Sequence, residues 1–201
     1  MAGEDERLRV GAARTVNTPP LGVSLAGSYT YARAVDAYRD LGAVAARAGV
    51  VLTLDVHMNT IHDTAASAAR LLDRIDMPDV RANYDPGNMF GTRSAEPALE
   101  AIAILGARIA YVHVKNARRV SYLPVGIDYH FDLAGGDLDY FQIVQALHQT
   151  GFRGPYGIEY SGAGDRSVAS RRDVAYLRSL LAAVASEDIH APVATTHQEP
   201  V

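Results

Sequence analysis

The stretch VVLTLDVHMNTIHDTAASAARLLDRIDMPDVRANYDPGN, residues 50–88, holds two short apolar runs separated by a segment of helical period. Residues 50–56 and 80–84 are brief, rich in apolar side chains and followed by polar or glycine residues, as strands buried in a parallel sheet are. Between them, Ala69, Leu72 and Ile75 recur on one helical face. Working outward, residues 8–12, 109–114 and 155–160 read as three more strands. Further helical faces are carried by Val35, Tyr38, Leu41 and Ala45, and by Leu99, Ile102 and Leu105. Ile143, Val144 and Leu147 follow Asp137, and Val174, Leu177, Leu181 and Val184 form a last helix. Asp63 and Ser94 are placed like N-caps of two earlier ones. This alternation predicts βα units and a parallel sheet whose faces are covered.

The 201 residues suffice for one sizeable core, and residues 1–185 are expected to form a single domain. The first six residues and residues 186–201, which lack an apolar period, read as mobile tails. Residues 17–28, with Pro19 and Pro20, read as a loop over the strand-end face. Cysteine is absent, which excludes disulfides, zinc fingers and iron–sulfur clusters and permits a reducing compartment. The opening MAGEDERLRV is acidic rather than signal-like, and no run reaches the roughly 18 apolar residues of a membrane span. A soluble cytoplasmic protein is expected. A net charge of −4 and a pI near 5.9 give no basic stripe, so nucleic acid is not an expected partner.

Function in parallel α/β folds collects at the carboxyl ends of strands, where the sheet fixes the first residue of each variable loop. Here LTLDVH ends in Asp55 and His57, ANYDPGN in Asp85, YVHVKN in His113 and Lys115, and GIEY in Glu159. Three carboxylates and one imidazole make a hard, oxygen-rich set suited to Mn²⁺, Mg²⁺ or Co²⁺, with Zn²⁺ also accommodated. Any one such Asp alone is as readily a turn residue. Four good ligands at equivalent positions of repeated units are not easily coincidental. Tyr84, Tyr111 and Tyr160 alternate away from the ligands and read as packing residues, and His62 reads as surface. Gly135, Gly136 and Asp137 read as a turn ending in a helix N-terminal Asp.

The run from Leu54 to Phe90, then YVHVKN, then GGDLDYFQIVQALHQTGFRGPYGIEY, resembles the xylose isomerase-like TIM barrels of the sugar phosphate isomerase/epimerase superfamily. Its most specific part is the order DPG, HVK, Gly-Asp-x-Asp, then Gly-Phe-x-Gly before a strand ending in Glu. The resemblance covers about residues 8–185 and implies a partial (β/α) barrel holding about strands four to eight, since a full barrel runs to about 250 residues. In that family a Glu, an Asp, a His and a second Glu hold one divalent metal, and the two Glu residues exchange a proton with substrate. Carried across, Asp55, Asp85, His113 and Glu159 would be the metal ligands, with Glu159 and Asp55 as the catalytic pair.

This chain departs from the pattern at Asp55, shorter than Glu by one methylene or about 1.5 Å of reach. It also carries Asn88 and Asn116 where relatives often have His and Asp. His57, Asn88 and Lys115 are expected to contact substrate. The resemblance implies a metal-dependent isomerase or epimerase acting on a small polyhydroxylated carbonyl compound through proton abstraction, with manganese as preferred ion. A lyase or dehydratase using the same site, and a non-catalytic binding or scaffolding subunit, remain open. An incomplete barrel exposes a sheet edge, so a homo-oligomer or a covering partner chain is expected.

Overall fold

A computed structural model describes residues 28–123, 126–162 and 164–190. The expected strand at residues 8–12, the loop before Ser28, and residues 191–201 lie outside the described residues. Helix α1 (Ser28–Ala48) leads into β1 (Leu52–Asp55), α2 (Ala65–Ile75) and β2 (Val80–Tyr84). Then come the short α3 (Pro86–Phe90), α4 (Ala98–Leu105) and β3 (Ile109–Val114). The two-residue strands β4 (Arg118–Arg119) and β5 (Ile127–Asp128) pair with each other, antiparallel, ahead of α5 (Tyr140–Gln149), β6 (Tyr156–Ile158) and α6 (Arg166–His190). The main sheet runs β1-β2-β3-β6, every pair parallel. Along one face α1 packs on α2, α2 on α4, α4 on α5 and α5 on α6. This is a partial TIM barrel.

Leu54, Ala82, Tyr84, Val112 and Val114 point from the strands into the helical layer and meet Ala68, Leu71, Ile75, Ile102, Leu105, Ile143 and Leu147 in one buried cluster. Side chains alternate across a strand. Asp55, Asn83, Asp85, His113 and Glu159 therefore share the opposite face, which the site occupies. Tyr84 is buried and donates its hydroxyl to Ala98 O at 3.0 Å, the packing role expected of it. Gly157 leaves room on the site face for Tyr111, whose hydroxyl would meet a Cβ there at 2.1 Å.

Several local expectations are corrected. Thr64, not Asp63, caps α2: its Oγ1 accepts from Ser67 N at 3.0 Å while Ser67 Oγ accepts from Thr64 N, a reciprocal capping box. Glu96 adds a carboxylate to the same helix end, accepting from Ala65 N and Ala66 N. The α4 cap position is Pro97, without a side-chain bond, and Ser94 lies upstream of it. Asp139 rather than Asp137 caps α5, while Asp137 accepts from Arg119 N at 2.8 Å. Leu41 and Leu99, placed on buried faces by period, are 52% and 44% exposed. Val44, Val50 and Val51 are exposed too, so Leu41–Val51 leaves a run of apolar side chains beside β1, which pairs on one side only among the described residues. The last helix continues through His190.

Candidate metal centre

The site is built by consecutive strand ends. Asp55 closes β1 and Asp85 follows β2 directly. His113 lies near the end of β3 and Glu159 follows β6. Ligand atoms of Asp55, Asp85 and His113 all lie within 4.8 Å of one another. His113 Nδ1 is 3.5 Å from Asp85 Oδ2, 3.6 Å from Glu159 Oε2 and 3.7 Å from Asp55 Oδ1. The three carboxylates expected from the sequence therefore surround the ring nitrogen of the fourth residue, His113.

Asp85 is wholly buried and doubly used. As N-cap of α3 its Oδ1 accepts from Asn88 N at 2.8 Å, and its Oδ2 accepts from the Asn88 amide at 2.7 Å. Asn88 is itself buried, so its amide is committed to orienting Asp85. Lys115 donates from Nζ to Glu159 Oε2 at 2.8 Å and sits 3.3 Å from Asp85 Oδ2. The His57 ring donates from Nδ1 to Met58 O, and its carbonyl accepts from Thr60 Oγ1, so this residue shapes the loop after β1.

Asn83 was not anticipated. Its Nδ2 donates to Asp55 Oδ1 at 3.0 Å and to His113 Nδ1 at 2.9 Å, tying two side chains of the cluster from different strands. The sequence did contain the signal: Asn83 stands two residues before Asp85, hence on the same face. His62 is another correction, being 8% exposed rather than a surface residue. It lies edge-on to Tyr38, its ring bonds the Asp55 backbone, and its Nδ1 is buried without a partner. Asn116 holds loop rather than substrate. It donates to Leu133 O and Leu138 O and accepts from Ala117 N and Leu138 N.

The electrostatics favour a cation. Burial, reinforced by the neighbouring Asp85 charge, raises the Asp55 pKa to about 6 even though His113, His57 and Lys115 pull it down. Burial alone would lower the pKa of His113, but Asp85, Asp55 and Glu159 outweigh it and hold the ring above its ordinary value. Carboxylates crowded closely enough to oppose one another's ionisation are relieved by positive charge among them. The hard carboxylate oxygens of Asp55 and Asp85 and the nearby imidazole nitrogen of His113 fit a divalent ion.

Parallel strands followed by helices, with acidic and imidazole groups gathered at their carboxyl ends, define a (β/α) barrel protein with its site on the usual face. The chain belongs to the xylose isomerase-like TIM barrel family, whose model matches residues 8–180. Inosose dehydratase of Clostridium perfringens is 29% identical over 125 residues, which are 57% of this chain and 41% of that protein. This chain thus spans about two fifths of the curated relatives it matches. Among solved structures, a xylose isomerase-like TIM barrel protein from Mycobacterium smegmatis in complex with magnesium superposes with a TM-score of 0.68 at 24% identity. That match covers 80% of this chain and 54% of the other. An L-ribulose 3-epimerase superposes at 0.71 with 16% identity, covering 89% and 62%. Among the described residues no helix is long and apolar enough to cross a membrane.

Proposed function

We propose that this chain carries the metal site of an isomerase, epimerase or dehydratase that removes a proton beside the carbonyl of a small polyhydroxylated compound. The observation that carries the reading is the convergence of Asp55, Asp85 and Glu159 on His113 Nδ1 within 3.5–3.7 Å. Asp55, Asp85, His113 and Glu159 would hold one Mn²⁺ or Mg²⁺. A bound divalent ion supplies the Lewis acid that stabilises negative charge on the substrate oxygen.

The chain's own residues do the rest. Glu159, with a side chain 45% exposed, is the carboxylate open to substrate and acts as base. Asp55, across the cluster from Glu159, is the group that would return a proton from the other side. Lys115 offers its ammonium to the developing oxyanion. Asn88 holds Asp85, Asn83 holds Asp55 and His113, and His57, in the loop after β1, is the residue placed to contact substrate. The dehydratase outcome needs the same first proton transfer and only a β leaving group thereafter. The inosose dehydratase relatives favour keeping it beside isomerisation. A cysteine-free, mildly acidic chain suits cytoplasmic work.

The exposed Leu41, Val44, Val50 and Val51 beside β1 support covering by a second copy or partner chain. A monodisperse monomer by light scattering would count against it. The site itself is tested by elemental analysis of purified protein beside an Asp85→Ala, His113→Ala double variant, followed by a screen of ketoses and keto-cyclitols. About one ion per chain in wild type and none in the variant is expected. Absence of metal from wild type after loading would overturn the reading.

A further inference from the structure

Lysine occurs once in this chain, at position 115, although the other eighteen of its nineteen basic residues are arginine. Arginine serves wherever a solvated cation or a forked donor is wanted, and lysine differs in offering a compact, rotatable ammonium on a flexible stem. The one lysine lies inside the site, with a side chain 9% exposed. Its surroundings are fitted to it. A Cβ on Gly87 would stand 2.5 Å from Lys115 Cγ and 2.9 Å from its carbonyl oxygen, so the stem lies in a slot that only glycine leaves open. The Tyr140 hydroxyl fixes the backbone at both ends, accepting from Lys115 N at 3.0 Å and donating to Lys115 O at 2.6 Å. Beyond the carboxylates, Nζ faces the Tyr129 ring at 5.9 Å from its centroid.

The ammonium sits against Glu159 Oε2 and Asp85 Oδ2. Those are the two oxygens that lie 3.6 and 3.5 Å from His113 Nδ1. A divalent ion drawn to the same atoms meets a positive charge already there, and like charges at contact distance repel strongly in a partly buried site. The backbone of Lys115 is pinned but its stem carries four rotatable bonds, so the head can yield without disturbing β3.

We propose that Lys115 is an exchangeable counterion: it neutralises Asp85 and Glu159 until a divalent ion is taken up, and then moves off toward Tyr129 and the site mouth. While the ammonium bonds Glu159 Oε2, that carboxylate is engaged and is a poor base. Exchange delivers the ammonium to where substrate oxygen charge develops. Loading of the site and presentation of the ammonium are thereby one event. This rests on the metal-site reading above.

A single lysine makes the test clean. Protein labelled with ¹³C only in lysine shows one Cε cross peak, which is followed on addition of Mg²⁺ while calorimetry reports Mg²⁺ binding to the same sample and to Lys115→Met. The expected result is a peak that shifts and saturates at one equivalent, with Lys115→Met binding Mg²⁺ about tenfold tighter, since it removes a competing charge. An unmoved peak under calorimetrically saturating Mg²⁺, or equal or weaker binding by a folded Lys115→Met, overturns the exchange and leaves the metal site standing. Failure of both proteins to take up Mg²⁺ or Mn²⁺ overturns the metal site and the exchange together. Uptake by Lys115→Met alone supports the exchange in its strongest form. Should Lys115→Met not fold, as circular dichroism would show, the wild-type cross peak decides alone.

Discussion

The side-chain amide of Asn83 donates to Asp55 Oδ1 at 3.0 Å, joining β2 to the last residue of β1. The same nitrogen reaches His113 Nδ1, so one uncharged group sets the spacing of Asp55 and His113. Groups that orient ligands are commonly worth 10–100-fold in metal affinity. Asn83→Ala should therefore weaken Mn²⁺ binding about tenfold or more while its melting transition stays cooperative. Unchanged affinity by Mn²⁺ electron paramagnetic resonance would show that the two ligands hold their places unaided.

Asp55 carries a cost that pH exposes. Its pKa is raised from the ordinary 3.8 to about 6 in the fold. Between those values the folded state binds more protons than the unfolded state, so stability falls as pH rises through that window and the full penalty applies above it. At neutral pH without added metal, Asp55→Asn should be more stable by about 1–3 kcal/mol. The difference should vanish near pH 4, and metal binding should be lost. Denaturant melts at both pH values check this; a variant less stable than wild type at pH 7.5 would contradict it.

His62 acts in the opposite sense. Burial lowers its pKa to about 4 from 6.5, despite the bond to the Asp55 backbone, so it stays neutral in the fold. Protonation then favours the unfolded chain, and the stability tied to this group is complete above pH 6.5 and drains away as pH falls toward 4. His62→Leu should flatten that acid limb by about one proton, whatever its effect at neutral pH. An unchanged slope of stability against pH between 6.5 and 4.5 would sink the assignment.

Asn116 holds the segment from Ala117 to Leu138 through two donated and two accepted bonds, and it is 2% exposed. Gly136 packs directly on it, where a Cβ would stand 2.1 Å from Oδ1. Asn116→Asp, the residue often found there in relatives, would set a buried carboxylate against the carbonyls of Leu133 and Leu138. Losing both donors should cost about 2–4 kcal/mol. Wild-type stability in this variant, measured by urea unfolding, would show the segment to be held by other contacts.

The strands carrying the ligands were legible because each is a short apolar run stopped by polar residues. β2 and β3 have the very bounds that the pattern implies, Val80–Tyr84 and Ile109–Val114. The gathering of Asp55, Asp85, His113 and Glu159 was legible for the related reason that strand ends are fixed by the sheet. Caps were not, because Asp63 and Thr64 are both good capping residues and local sequence cannot say which one adopts extended backbone next to Ser67. Nor was the burial of His62, a polar residue in a loop, which depends on α1 supplying Tyr38 from afar. Leu41 and Leu99 failed for the converse reason: helical period finds an apolar face but not whether anything lies against it.

The pairing of β2 with β3 contains an irregularity whose effect reaches the site. Ala82 pairs with Ile109 but Asn83 pairs with Tyr111, so Ala110 is passed over. Burial follows the slip: Ile109 is buried, and then the phase changes so that Val112 and Val114 are buried. A reader alternating inward and outward from Ile109 would assign His113 to the helical layer. The strand resets its parity at Ala110, three residues before His113, and so turns His113 to the side of Asp85. A residue gained or lost between Tyr111 and His113 would turn the histidine to the wrong side of the sheet.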